Sequence, residues 1–123
     1  MLIGLTACCG AKDSKCSDKE ANTKTTETVI RLNVFYTMND SADIEKINEI
    51  GSKLVEASRN DAGCISYDLY KSVTKPNEYI IVETWENDSL LNIHGNAPHF
   101  TEYVPQLRSM SSDRHADRFQ IEK

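Results

Sequence analysis

The sequence has few basic residues relative to acidic ones, and it contains no long hydrophobic run. Its 14 Lys and Arg against 19 Asp and Glu give a formal net charge of -5, and no basic stripe with interleaved aromatic residues is present. Because nucleic-acid binding needs clustered Lys and Arg, we expect no nucleic-acid partner. No stretch is apolar for long enough to predict a transmembrane helix. A chain of 123 residues suits one folded domain with one modest core.

Several motifs that carry chemistry are also missing. There is no C-x-x-C, no G-x-S-x-G and no glycine-rich loop of the kind that binds phosphate. Of the four cysteines, Cys8 and Cys9 are adjacent, Cys16 is isolated in a polar segment, and Cys64 lies in a predicted strand. A zinc site needs closely spaced cysteine pairs, or one pair with histidines at ligand spacing, so these cysteines predict no metal site. Cys64 is most simply a small buried residue.

The first 28 residues differ in composition from the rest. Residues 1–7, M-L-I-G-L-T-A, lead into Cys8, and L-T-A-C resembles the lipobox of bacterial lipoproteins, whose cysteine is lipidated. Residues 10–28 carry no large apolar side chain, which predicts a flexible linker. No Lys or Arg precedes Cys8, although a signal peptide has a basic n-region. We expect a protein tethered to the bacterial cell envelope through Cys8, or a cytoplasmic protein if the resemblance is accidental.

Hydrophobic periodicity over residues 29–123 predicts the order β-α-β-β-α-β. The first helix is expected to start after the turn and N-cap residues 39–41 and to bury Ile44, Ile47, Ile50 and Leu54. In the second helical segment, Pro105 predicts a kink or a break. Residues 111–114, S-S-D-R, are expected to form a turn before the last strand. The predicted strands are 29–38, 64–71, 78–86 and 115–122.

This order predicts an α+β, ferredoxin-like fold with a four-stranded antiparallel sheet and both helices on one face. Helices cover only one face of such a sheet, yet both faces of these strands carry large apolar residues. A second copy of the same sheet is the expected cover, which predicts a homodimer packed sheet to sheet.

The stretch 83–100, E-T-W-E-N-D-S-L-L-N-I-H-G-N-A-P-H-F, holds the features most suggestive of chemistry. It contains the sole tryptophan, Trp85, and two of the three histidines, His94 and His99. Five residues apart on a regular helix, the histidines would lie about 140° apart, so only an interruption near Gly95 and Pro98 would bring them together. Histidine is the natural general base near neutral pH.

Three motifs in this region resemble the antibiotic biosynthesis monooxygenase (ABM) family. They are G-C-I-S-Y-D-L-Y, then Y-I-I-V-E-T-W-E-N-D, then H-x-x-x-P-H-F, within a likeness that covers about residues 29–123. The resemblance implies a dimeric α+β barrel. The members most similar in appearance are small quinol monooxygenases, which oxidise quinols or polycyclic phenols with O₂ and without flavin or metal. The resemblance thus implies a small aromatic substrate, O₂ and no cofactor.

Roles for individual residues follow from what such a reaction needs and, for Asn33, Trp85 and His94, also from the resemblance. His94, ranked above His99, is the expected base, while Asn33 and Trp85 complete the expected catalytic group. The expected substrate-binding residues are Tyr67, Tyr70, Phe100 and Arg31. Glu83 is expected to pair with Arg31 across neighbouring strands.

Two alternatives stay open at this point. Related branches of the family isomerise a phosphorylated signalling sugar derivative, a substrate that would want cationic pocket residues such as Arg31. Another branch degrades haem, so a protein that only binds haem or a hydrophobic small molecule is the third interpretation.

Overall fold

The computed structural model describes residues 27–123. Cys8, with its predicted lipid anchor, and nearly all of the predicted linker lie outside the described residues. Among the helices that are described, none is long and apolar enough to cross a membrane.

The described chain follows the predicted order, with the second helical segment divided in two. The four strands form one antiparallel sheet in the order β2-β3-β1-β4, which confirms the ferredoxin-like arrangement. The strands are β1 (Thr28–Met38), β2 (Cys64–Lys71), β3 (Glu78–Trp85) and β4 (Ser111–Glu122), and the helices are α1 (Ile44–Ser58), α2 (Asp88–Gly95) and α3 (Pro98–Ser109).

The core lies between the helices and one face of the sheet. In the register of β1 and β3, Val34 lies opposite Ile81 and Ile30 lies opposite Trp85, so these four side chains share a face. The amphipathic helices α1 and α3 bury their apolar stripes against that face. The core contributions from α1 and α3 are Ile47, Ile50, Leu54, Val104 and Leu107.

The opposite face of the sheet carries the alternate residues and has no helix over it. Phe119 and Ile121 of β4 are 45% and 37% exposed there, and Phe35 stacks on His115 with ring centroids 4.7 Å apart. Ile80 lies on the same face. The predicted sheet-to-sheet dimer, which would cover this surface, stays a prediction.

The start of α1 differs from the prediction. Asp43, not residues 39–41, is the N-cap, and its carboxylate accepts hydrogen bonds from the backbone N–H groups of Glu45 and Lys46. Ile44, predicted to be buried, is the first residue of the helix and is 56% exposed. Ile44 lies before the first residue of α1 that packs in the core, which is Ile47.

Two predictions about the C-terminal third are corrected by the packing. Pro105 does not break α3. Proline removes one backbone hydrogen bond, but the buried side chains of Val104 and Leu107 on either side of it pack against the core and stabilise the helix. Residues 111–114 are not a turn but the first part of β4, which pairs with β1 along nearly its whole length.

Cys64 begins β2 beside an irregularity in the pairing with β3. That irregularity places Cys64 opposite Trp85 and leaves the side chain half-buried rather than fully buried. Burial, with the negative charges of Glu83 and Asp61 nearby, raises the pKa of the Cys64 thiol to about 11. The residue is therefore a neutral thiol at neutral pH, not a reactive thiolate.

Candidate functional site

Two histidines and one carboxylate converge beside the end of β3. Asp61 lies in the turn after α1, which Gly63 completes in a left-handed conformation with φ of 83°. Its Oδ2 atom lies 2.7 Å from Nδ1 of His94 and 2.8 Å from Nε2 of His99. A single carboxylate oxygen thus holds both imidazole rings.

The histidines meet because the helical segment is interrupted between them. Asn87 caps α2 through its side chain, His94 lies in the last turn of that helix, and α3 starts anew at Pro98. The interruption changes the helix direction, so residues that a continuous helix would place on different sides face a common point. The ring centroids of His94 and His99 are 5.8 Å apart.

His94 is almost fully buried and is enclosed by aromatic rings. It is 1% exposed, with the centroid of Trp85 at 4.5 Å, that of Phe100 at 5.1 Å and that of Tyr67 at 5.5 Å. Burial lowers the pKa of His94, and the hydrogen bond and charge of Asp61 only partly oppose this effect. The imidazole is therefore neutral at neutral pH.

The hydrogen bond to Asp61 also determines which nitrogen of His94 carries the proton. A carboxylate only accepts, so the neutral ring donates Nδ1–H to Asp61 and its Nε2 atom keeps a lone pair. That Nε2 atom is buried and has no hydrogen-bond partner among the residues that the structure describes. It is the free basic atom of the site.

Glu83 is a second buried titratable group nearby. Its carboxylate accepts a hydrogen bond of 2.7 Å from the indole Nε1–H of Trp85, and it is 4% exposed. Burial raises the pKa of Glu83 to about 7, although the Trp85 hydrogen bond and the positive charge of Arg114 pull it down. Glu83 therefore changes charge close to neutral pH.

Of these groups, Glu83, His94, Phe100 and Arg114 line a cavity of about 310 Å³ between the sheet and the α2–α3 segment, and the others lie outside its lining. The lining combines apolar side chains with an imidazole, a carboxyl group, a guanidinium and two carboxamides. Its volume is at the lower end of the range for small-molecule sites, which suits a small ring system. The lining includes Leu32, Val34, Glu83, His94, Phe100 and Arg114.

A larger groove of about 510 Å³ lies between α1 and β2. Its charged groups are Glu56, Arg59, Asp68 and Lys71, of which Arg59 and Asp68 pair with one another and are exposed to solvent. None of its lining residues carries a buried side-chain polar atom that lacks a hydrogen-bond partner, so we place the candidate site in the smaller cavity, which His94 lines.

The structure brings together part of the predicted site and separates the rest. His94, His99, Trp85, Tyr67 and Phe100 lie in one group, as the contacts above show.

Three predicted site residues lie on the other face of the sheet, namely Arg31, Asn33 and Tyr70. The register places Asn33 opposite Val82 and Tyr70 opposite Ile80, on the face away from the helices. Strand alternation makes this unavoidable, because the helix-facing positions of β1 are the even-numbered ones. Placing them with the histidines was wrong.

The predicted ion pair between Glu83 and Arg31 is wrong for the same reason. Arg31 donates from Nε to the hydroxyl oxygen of Thr84 at 2.9 Å, on the open face. Glu83 points to the helix-covered face, where Trp85 is its hydrogen-bond donor.

Sequence reasoning missed Asp61, Glu83 and Arg114 as site residues. Asp61 lies in N-D-A-G, which indicates only a turn, and Arg114 lies in a segment that was expected to be a turn. Glu83 did carry a signal, because it shares strand parity with the apolar residues Ile81 and Trp85. An acidic residue on the strand face that carries the buried apolar residues indicates a functional group or a group paired with a partner.

With this geometry established, the chain can be compared with known proteins. The family model for antibiotic biosynthesis monooxygenase matches residues 29–106, well over half of the chain. The chain belongs to the ABM family.

Individual relatives agree with this assignment. A Bacteroides thetaiotaomicron protein of unknown function has a crystal structure that matches this ABM fold with a TM-score of 0.71 and 33% identity, over 77% of this chain and 99% of that one. The "putative monooxygenase YcnE" of Bacillus subtilis is 29% identical over 68% of this chain and 87% of its own length. An uncharacterised Synechocystis protein, sll1783, is 35% identical over 49% of this chain, and the match spans 41% of that relative.

The family is described as antibiotic biosynthesis monooxygenase, and the Bacillus relative is named a putative monooxygenase. Neither names a substrate.

Proposed function

We propose that this ABM protein is a cofactor-independent monooxygenase that oxidises a quinol or polycyclic phenol with O₂. The observation that carries the proposal is the Nε2 atom of His94, which is buried, has no hydrogen-bond partner within residues 27–123, and belongs to a ring that Asp61 orients. Such an atom is suited to remove the proton from a phenolic hydroxyl bound in the cavity.

Proton removal makes the substrate electron-rich enough to react with O₂. As His94 takes the proton it becomes an imidazolium, which the carboxylate of Asp61 stabilises through Nδ1–H. Arg114, at the cavity wall, stabilises the negative charge on the substrate oxygen and then on the peroxide formed at a hydrogen-bearing ring carbon ortho or para to it. The apolar side chains of Leu32, Val34 and Phe100 shield part of this anion from water.

The overall reaction balances with O₂ as the sole oxidant. One oxygen atom forms a bond to that ring carbon, which is ortho to the oxygen in a quinol and ortho or para to it in a phenol, and the O–O bond then breaks. The hydrogen of that carbon and the phenolic hydrogen leave with the second oxygen atom as water. The ring becomes a quinone, so the substrate loses two hydrogens and gains one oxygen.

Oxygen uptake tests this proposal directly. The full chain would be incubated with a chemically reduced naphthoquinol, without flavin and in the presence of chelator. We expect uptake well above the autoxidation rate, reduced at least about 100-fold in His94→Gln, since general base catalysis contributes factors of this size. The matched control is His115→Ala, which removes an exposed histidine outside the cavity. Uptake no faster than autoxidation with several quinols and phenols would refute the oxygenase proposal.

Arg114 favours one second candidate, an isomerase acting on a small phosphorylated sugar derivative. A guanidinium at the cavity wall supplies the cationic group that such a substrate needs, whereas Arg31 lies on the other face. This candidate predicts that inorganic phosphate binds in the cavity and that Arg114→Gln abolishes the binding. Titration of phosphate against wild-type protein, followed by NMR, distinguishes the two functions.

A further inference from the structure

The cluster of Asp61, His94 and His99 has a second chemical capacity that proton transfer does not use. One nitrogen from each ring and one carboxylate oxygen lie within 4.8 Å of one another. The three residues come from the turn after α1, from α2 and from α3, so three separate elements present one ligand atom each. Two imidazoles and a carboxylate form a three-ligand set that Zn²⁺ accepts.

The two nitrogens already point at a common position. Nδ1 of His94 and Nε2 of His99 both aim at Oδ2 of Asp61, at 2.7 and 2.8 Å, so once the protons move away their lone pairs converge. Bonds of about 2.0–2.1 Å in a tetrahedral zinc site put the ligand atoms roughly 3.4 Å apart. The two contacts with Asp61 therefore need to lengthen by roughly 0.7 and 0.6 Å.

The movement needed falls on the residue most able to make it. A cation at the point where the two nitrogens aim would lie close to the present position of Asp61 Oδ2. The Asp61 carboxylate therefore has to move back and bind the ion from there. Asp61 lies in a turn, and its side chain is 20% exposed. The side chain of His99 is 18% exposed. A dissolved ion thus reaches the cluster from the solvent side, whereas His94 Nε2 lies buried.

We propose that Asp61, His94 and His99 form a zinc site whose occupation switches off the base of the proposed oxygenase, an inference that rests on the proposed function. A neutral imidazole binds a metal ion through a lone pair, so zinc at Nδ1 of His94 forces the ring proton onto Nε2. Nε2 then donates a hydrogen bond instead of accepting a proton. Zinc therefore inhibits without entering the substrate cavity.

The chemistry of the ligands selects the class of ion. Imidazole nitrogen suits borderline divalent ions such as Zn²⁺ and Co²⁺, whereas Mg²⁺ and Ca²⁺ prefer oxygen ligands. Co²⁺ is therefore a suitable spectroscopic substitute for zinc, and Mg²⁺ is the negative control.

Binding would be measured first, independently of any turnover. The full chain would carry Ser in place of Cys8, Cys9 and Cys16, because free thiolates would bind zinc themselves. Zinc would be titrated by calorimetry and cobalt by its visible absorption. We expect one site per chain, weakened at least about tenfold in Asp61→Asn and in His99→Ala.

The matched control for binding is His115→Ala. His115 lies 3.8 Å from Asp113 in an exposed His–Asp pair without a second histidine, so its removal is expected to leave zinc affinity unchanged. Thermal unfolding without metal would verify that each variant is folded. Equal affinity in wild type and in both cluster variants, or no binding of either ion, would overturn the proposal.

The inhibitory part has its own readouts. Nitrogen-15 NMR of the imidazole groups is expected to show the His94 proton on Nδ1 with chelator and on Nε2 with zinc. Oxygen uptake is expected to fall on adding zinc and to return on adding chelator. If no quinol is turned over, binding and the tautomer change still test the zinc site, so the two proposals fail separately. Zinc bound at the cluster with the proton still on Nδ1, or with uptake unchanged, would overturn the switch.

Discussion

Replacing Glu83 with Gln tests whether the buried carboxyl group beside the cavity is as poorly solvated as the structure indicates. Gln has nearly the same shape, and its side-chain oxygen still accepts the Trp85 hydrogen bond, so the substitution removes the titration and little else. A rise of the Glu83 pKa from 4.5 to about 7 corresponds to about 3 kcal/mol of unfolding free energy.

The sign follows from proton binding. Between pH 4.5 and 7 the unfolded chain has released the Glu83 proton while the folded protein still holds it, so the stability of the wild type falls as pH rises through this window. Below pH 4.5 both states are protonated, and above pH 7 both are charged. The Glu83→Gln variant lacks this fall, so its advantage over the wild type is expected to grow by up to about 3 kcal/mol and then to level off.

The assay is urea unfolding followed by circular dichroism at pH 5, 6, 7 and 8, with chelator in every buffer. The quantity of interest is the difference between variant and wild type at each pH, since other groups, such as His94, contribute equally to both curves. Glu102→Gln on the exposed side of α3 is the control and is expected to give a flat difference. A flat difference for Glu83→Gln as well would show that the carboxyl group is solvated, and would refute our reasoning.

Three further predictions concern the base, the turn and the open face. His94→Gln is expected to lower kcat for a quinol at least about 100-fold while the protein stays folded, as judged by circular dichroism, and a fully active variant would exclude His94 as the base. Gly63→Ala is expected to cost more than about 1 kcal/mol in urea unfolding, because φ is 83° and an added Cβ would lie 2.4 Å from an atom of Leu90. Phe119→Asp is expected to yield monomers in analytical ultracentrifugation, if the wild type is the sheet-to-sheet dimer that we predict. An unchanged sedimentation coefficient would argue against that interface.

The fold was predictable from the sequence because each of its elements has a clear period. Alternation in β3 distinguishes the faces that carry Ile81 and Ile80, and the apolar stripe of α1 appears at Ile47, Ile50 and Leu54. The boundaries of the elements were harder to predict from the sequence. Hydrogen bonds to β1 extend β4 through residues 111–114, whose composition is typical of a turn.

The candidate site was predictable only in part, and the reason lies in the distance along the chain. The histidines and Trp85 belong to one stretch, so they appear together in the sequence. Asp61 joins the two histidines from 33 and 38 residues away, and only the tertiary structure shows that its carboxylate holds both rings. The error about Asn33 had a different source, since the strand period alone places it on the face without helices.

The interruption between α2 and α3 constrains the protein through its length rather than its composition. An added Cβ at Gly95 would have no neighbouring heavy atom within 4 Å, so many side chains fit there. A residue inserted between Gly95 and Pro98 would instead lengthen the short connection between α2 and α3, so that α3 could not keep both its packing on the core and the position of His99 beside Asp61. Related sequences that keep the histidine pair should therefore differ in this segment by substitutions and not by insertions or deletions.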